Sequence, residues 1–236
     1  MDPAHVVADR LSPPGLWRGT GLARVATPGV PTGFAELDAE FPGGGWPSGS
    51  LTEIMPVQEG IGELRILGPA LAGLSARGSH LAWIAPPYLP CASAIAAAGV
   101  DLARLFIVRT GSEKETLWAL EQALRSNACG AALAWLPSPG YAALRRLQLA
   151  AGDSRSLALL FRPGRAADES SPAVLRIALA PGREGLAVRI LKRRGAPLAR
   201  PILLAPAAQR SHHHAMDCNS SGATAARSLP ARLAAV

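Results

Sequence analysis

What most constrains this chain is an alternation. Short, continuously apolar runs recur between segments of helical periodicity. The runs are "LTEIM" (51–55), "HLAWIA" (80–85), "RLFIVR" (104–109), "CGAALAWL" (129–136) and "SLALLF" (156–161). Between them, "GELRILGPALAGLSARG" (62–78), "LPCASAIAAAGV" (89–100), "EKETLWALEQALRSN" (113–127) and "YAALRRLQLAAGD" (141–153) read as helices. In the first of these, Leu64, Leu67, Leu71 and Leu74 keep helical spacing, and in the third Leu117, Leu120 and Leu124 form one stripe. Strands apolar throughout must be buried on both faces. The pattern therefore predicts an α/β fold with a mainly parallel sheet flanked by helices. The runs "AVLRIALA" (173–180) and "GLAVRILK" (185–192) alternate instead, and predict an antiparallel C-terminal hairpin at the sheet edge.

Around this core the organisation is simple. The 236 residues suit one domain with tails: an N-terminal arm (1–30) anchored by "LWRG", a core (31–204), and a disordered tail (205–236) that could end in a short helix. The early acid and lack of an apolar segment argue against a signal peptide, and no run is long enough for a membrane span. Cys91, Cys129 and Cys218 form no CxxC, so neither a disulfide framework nor structural zinc is expected. These features predict a soluble cytoplasmic protein, with association with the nucleoid an option. His212 to His214, with Asp217 and Cys218, match no ligand spacing, so no metal is expected. No GxSxG occurs and Cys91 has no identifiable histidine, so nucleophilic catalysis is unsupported.

The joint "MPVQEGIGELRIL" (55–67) has the cadence of a phosphate-binding loop between a strand and a helix. Such a loop needs GxxxxGK[ST]: backbone N–H groups cradle phosphate, lysine neutralises it, and the hydroxyl holds magnesium. Here Gly60, Gly62 and Glu63 occupy the loop, Glu59 adds a second carboxylate, and no cation precedes Arg65. Carboxylates suit a helix N-terminus and repel a triphosphate, so the loop predicts a capped helix start and no nucleotide cofactor.

The net charge of +7 fits either an anionic partner or a charge that merely aids solubility. The candidate contacts are Lys192, Arg193 and Arg194 in "RILKRRG", Arg145 and Arg146 side by side on a helix, and Arg162 and Arg165 in "RPGRAADESSP". Each could contact DNA phosphate or a partner, or be a solvated face; the arginine pair could also bridge nearby acids. Trp46, Trp83, Trp118 and Trp135 read as core or interface anchors rather than base-stacking platforms; Trp118, off the leucine stripe, is the candidate interface tryptophan.

The stretch "PTGFAELDAEFPGGGWPSGSLTEIMPVQEGIGELRIL" (31–67) resembles the entry to a RecA core, with Thr32-Gly33, Leu37-Asp38, Gly44-Gly45, Pro47, Gly49 and Glu53-Ile54 in the lead-in. Aligned without a gap, the loop lysine falls on Gly62, the magnesium-binding threonine on Glu63, the catalytic glutamate on Pro87, and the magnesium-side aspartate near Trp135. Loss of several ATPase parts together implies a protein that is not an enzyme, because phosphoryl transfer rests on positioned charge. More specifically, "LWRG", "FPGGGWPSGSLTEI", "GIGELRIL", "WIAPPYLP", "LWALEQALRS", "CGAALAWL", "LRRLQLAA" and "LKRRGAP" resemble the ImuA family, RecA-like accessory proteins of bacterial mutagenic cassettes.

That resemblance implies an SOS-induced role in DNA damage and translesion synthesis. It implies as partners an ImuB-type Y-family-like protein and an error-prone replicative-type polymerase, with RecA a further candidate. It also implies a distant relation to SulA, the division inhibitor acting on FtsZ, which leaves a SulA-like inhibitor as one alternative and a cryptic nucleotide-binding ATPase as another. In RecA proteins two lysines at the end of the corresponding strand reach a neighbour's ATP; here they align with Lys192 and Arg194.

Overall fold

A computed structural model describes residues 28–205, apart from 184, 196, 197 and 199. The arm with "LWRG", the histidine run and the tail lie outside the described residues, apart from the last of the arm and the first of the tail.

The elements in chain order are α1 (Ala35–Glu40), β1 (Ser50–Pro56), α2 (Gly68–Ala76), β2 (His80–Ile84), α3 (Ala92–Ala97), β3 (Leu105–Val108), α4 (Glu113–Arg125), β4 (Cys129–Trp135), α5 (Tyr141–Gly152), β5 (Leu157–Phe161), β6 (Leu175–Gly182), β7 (Gly185–Lys192) and β8 (Ile202–Leu204). Short 3-10 turns at Leu102–Arg104 and Gly164–Asp168 precede β3 and follow β5. The strands form one eight-stranded sheet, ordered β3-β2-β4-β5-β1-β6-β7-β8. From β3 to β6 every pairing is parallel; β7 runs antiparallel to both β6 and β8.

Both faces of the parallel part are covered. One layer packs Ile66, Leu67, Ala70 and Leu71 of the α2 region on Trp83, Leu133, Leu159 and Phe161. The other packs Leu120 and Leu124 of α4 and Leu144, Leu147 and Ala151 of α5 on Ile84, Ala132, Ala134 and Leu160. This is why the strand sequences are apolar without alternation.

Several expectations need correction. The helix after β1 starts at Gly68, not Gly62, with Pro69 in its first turn. Residues 62–67 instead form successive tight turns, in which Arg65 N donates to Gly62 O (2.9 Å) and Leu67 N to Leu64 O (3.1 Å). Proline lacks an N–H and disfavours α geometry in the residue before it, so it sits best where a helix begins. The hairpin is not the sheet edge. Its first strand pairs with central β1, and among the described residues the three-residue β8, which carries no alternation long enough to read, forms the edge. Helix α3 is shorter than its sequence run and buries none of its residues. Among the described residues no helix is long and apolar enough to cross a membrane.

Candidate functional site

Open α/β sheets ordinarily bind ligands beyond the carboxyl ends of their parallel strands. Here that end is framed by the glycine-rich lead-in. Asp38 Oδ1 accepts from Thr32 N (2.8 Å), and Thr32 Oγ1 accepts from Phe34 N (3.0 Å). This folds residues 30–38 against the start of α2. Gly33 has φ +84°, and a Cβ there would lie 2.5 Å from the Pro69 ring. Gly33 in the lead-in is thus required by packing.

The loop after β1 folds onto itself. Gly60 N donates to Glu63 Oε1 (3.2 Å), so a side-chain carboxylate takes a backbone donor of the kind that would face phosphate. Glu63 Oε2 is buried without a hydrogen-bond partner. Glu59 turns outward and accepts from the Tyr88 hydroxyl (2.8 Å), a bond that raises the phenol's pKa above its usual value. Neither carboxylate caps α2, whose first turn holds no acid; the capped-helix expectation is corrected. At the position aligned with the loop lysine, Gly62 has φ +93°, and a Cβ would meet Arg65 Cδ at 3.2 Å. A lysine there would be strained in this backbone.

Aromatic rings occupy the neighbouring strand ends. Trp135 stacks on Phe161 with ring centroids 4.7 Å apart and planes at 7°, and Trp83 lies 6.1 Å from Trp135. Trp135, near which the resemblance aligns a magnesium-side aspartate, is partly buried against the core. The position aligned with the catalytic glutamate, Pro87, is exposed.

On the other face of the sheet, a buried charge network replaces one expected contact. Glu53, fully buried in β1, stands opposite Arg176 of β6 in register. Its Oε2 accepts from Arg176 Nε (2.6 Å) and its Oε1 from Arg162 Nη1 (3.3 Å). Arg162 also donates through Nη2 to Glu169 (2.5 Å), and Arg176 to the carbonyl of Ala166 (2.7 Å). The Arg162 side chain is 0% exposed, so its assignment as a DNA or partner contact is corrected: it staples the 162–172 segment to the sheet. Only Arg165 of that loop's candidates is exposed. The network was not read from sequence; an acid and an arginine inside otherwise apolar strands, Glu53 and Arg176, were the available signal.

The cluster at the end of β7 is divided. Arg193 is largely buried and donates to both the Glu40 carboxylate (2.5 Å) and the Glu40 carbonyl (2.6 Å), tying the strand end to α1. It is corrected from a surface contact to a structural tie. Lys192 Nζ is exposed but donates to Ser171 O (2.8 Å), while Arg194 is exposed. On α5, Arg146 pairs with Glu121 of α4, which also binds Arg125 (2.9 Å). Arg145 points to solvent, and Trp118 is 62% exposed. The structure therefore brings Trp118, Arg145 and Arg146 onto one helix pair and leaves Lys192 and Arg194 at the end of β7. Among the described residues no cluster of histidine, cysteine and acids could hold a metal.

The fold and these strand ends define an open, mainly parallel α/β protein whose strand ends carry aromatic side chains. The chain is related to proteins named ImuA and to SulA. It is 35% identical over 132 residues to Protein ImuA from two strains of Caulobacter vibrioides, a match covering 54% of this chain and 54% of each relative. The match thus spans about half the length of these curated relatives. It is 34% identical over 98 residues to the cell division inhibitor SulA of Edwardsiella piscicida, covering 42% of this chain and 58% of that protein. The crystal structure of SulA from Pseudomonas aeruginosa aligns with a TM-score of 0.41 at 25% identity, covering 48% of this chain and 98% of the other. No protein-family model matches.

Proposed function

We propose that this chain is a non-catalytic, RecA-like accessory protein of SOS-induced, error-prone translesion DNA synthesis, working by binding other macromolecules. Its partners would be an ImuB-type Y-family-like protein and an error-prone replicative-type polymerase, with RecA a further candidate. The observation that carries the non-catalytic part is the loop after β1. Glu63 occupies its backbone donor, Gly62 holds a left-handed conformation, and rings fill the adjoining strand ends. Phosphoryl transfer needs cations and magnesium ligands at these places. A RecA-like core is supported by the parallel sheet and by the strand–loop–helix joint at β1. The similarity to ImuA supports the DNA-damage setting.

Two experiments test this. Affinity purification after DNA damage should recover an ImuB-type protein, and recovery of FtsZ alone would overturn the proposal. Titration of the purified chain with ATP should show no micromolar binding. Binding at that level, sensitive to substitution of Glu63, would make the chain a nucleotide switch instead.

A second reading, a SulA-like inhibitor of cell division acting on FtsZ, is favoured by the similarity to SulA. Overexpression separates the two: the accessory role predicts dividing cells with altered mutagenesis, the inhibitor filamentous cells with intact DNA synthesis.

A further inference from the structure

Helices α4 and α5 lie side by side on one face of the sheet, and their outer surface is uncovered among the described residues. Along α5, Tyr141, Arg145 and Leu149 follow at one-turn spacing; along α4, Lys114, Trp118 and Arg125 occupy the outer flank nearest α5. Tyr141, Trp118 and Leu149 are 54%, 62% and 60% exposed. On each helix one aromatic ring thus stands four residues, about 6 Å, from a cation, Trp118 from Lys114 and Tyr141 from Arg145, a separation suited to successive nucleotides of a stretched strand.

The charges are placed rather than scattered. Glu121, largely buried between the helices, pairs with Arg125 and Arg146 at once, while both guanidinium side chains stay more than half exposed. Sharing one carboxylate between two cations leaves an excess of positive charge beside α5, to which Lys114 and Arg145 add with no ion-pair partner among the described residues, while Glu113 and Glu115 in the first turn of α4 offset part of it. A surface of this charge calls for an anionic occupant. Open ring faces set among the cations favour one whose bases are free to stack, which a duplex does not offer.

We propose that this face binds single-stranded nucleic acid without sequence preference, with bases against Trp118 and Tyr141 and phosphates on Arg125, Arg145 and Arg146. The proposal extends the accessory role above but does not share its test, because partner capture can succeed or fail whatever this face binds.

The experiment is fluorescence anisotropy of the full chain with a labelled 12-nucleotide oligothymidine, and with a hairpin duplex of similar phosphate number, across a salt series. The single strand should bind more tightly than the duplex, and binding should weaken with salt. Trp118→Ala should weaken single-strand binding about 5- to 150-fold and leave duplex binding unchanged, and Trp118→Phe should restore most of the loss. Arg145→Ala should weaken both and flatten the salt dependence. Arg194→Ala, just beyond the end of β7, should leave the single-strand preference intact. No oligothymidine binding at low salt, equal affinity for strand and duplex, or a silent Trp118→Ala would each overturn the proposal; the last would mark the face as a protein-docking surface.

Discussion

Two arginine–glutamate clusters in this molecule use the same chemistry to opposite ends. Under the 3-10 turn after β5, Glu53 holds Arg162 and Arg176 with every partner almost wholly buried. Between α4 and α5, Glu121 holds Arg125 and Arg146 with both cations open to water. In the first, desolvation has already been suffered by all three groups, so removing one leaves an uncompensated charge in a low-dielectric interior. In the second, solvent screens whatever is left. The lesson is that a carboxylate between two arginines can be a staple or a display stand, and burial decides which.

The sharpest way to break this comparison is Glu53→Ala. It should cost about 3–5 kcal/mol or prevent folding, read from urea denaturation. The combined replacement Glu53→Leu, Arg162→Met and Arg176→Met removes all three charges and should recover most of that loss. If it does not, the network contributes more than mutual neutralisation, and the 162–172 segment depends on its specific hydrogen bonds to Glu169 and Ala166. Next in size is the reconstructed loop, Gly62→Lys with Glu63→Thr. It should destabilise the chain by about 1–2 kcal/mol through the left-handed backbone at position 62, and calorimetry should detect no gain of ATP binding, because Trp135 and Phe161 still fill the strand ends. Glu121→Ala should cost at most about 1 kcal/mol, since both arginines then reach water. Smallest of all, Arg145→Ala should change stability by less than about 0.5 kcal/mol. A loss as large as that of Glu53→Ala at Glu121 or Arg145 would erase the distinction between the two clusters.

The burial of Cys129 sharpens the same point on a thiol. Burial pushes its pKa up, and the thiolate is the reactive form. Alkylation of Cys129 should therefore set in at higher pH than for an ordinary exposed thiol, a difference that mass spectrometry of the labelled chain would resolve.

Much of the fold was legible because buried parallel strands leave a strong local record. Runs such as "SLALLF" and "CGAALAWL" need no partner to be recognised, and the leucine stripe of α4 announced its buried face. The loop after β1 was legible as chemistry lacking its cation, since that is a statement about residue types. The start of α2 was misplaced because leucine spacing continued through residues 62–67, while Pro69 and the turns before it set the boundary.

What the sequence by itself determined is the class of sheet, the alternation of strands and helices from 51 to 192, and a loop without a cation before Arg65. Tertiary structure alone decided which arginines face water. Arg162 and Arg145 carry the same charge and each stands near other arginines, but exposure depends on partners far along the chain: Glu53 lies 109 residues from Arg162. No local pattern encodes a contact of that separation. The same holds for Glu63, whose carboxylate could have capped a helix and closes its own loop instead, because the backbone turned back on itself before the helix began.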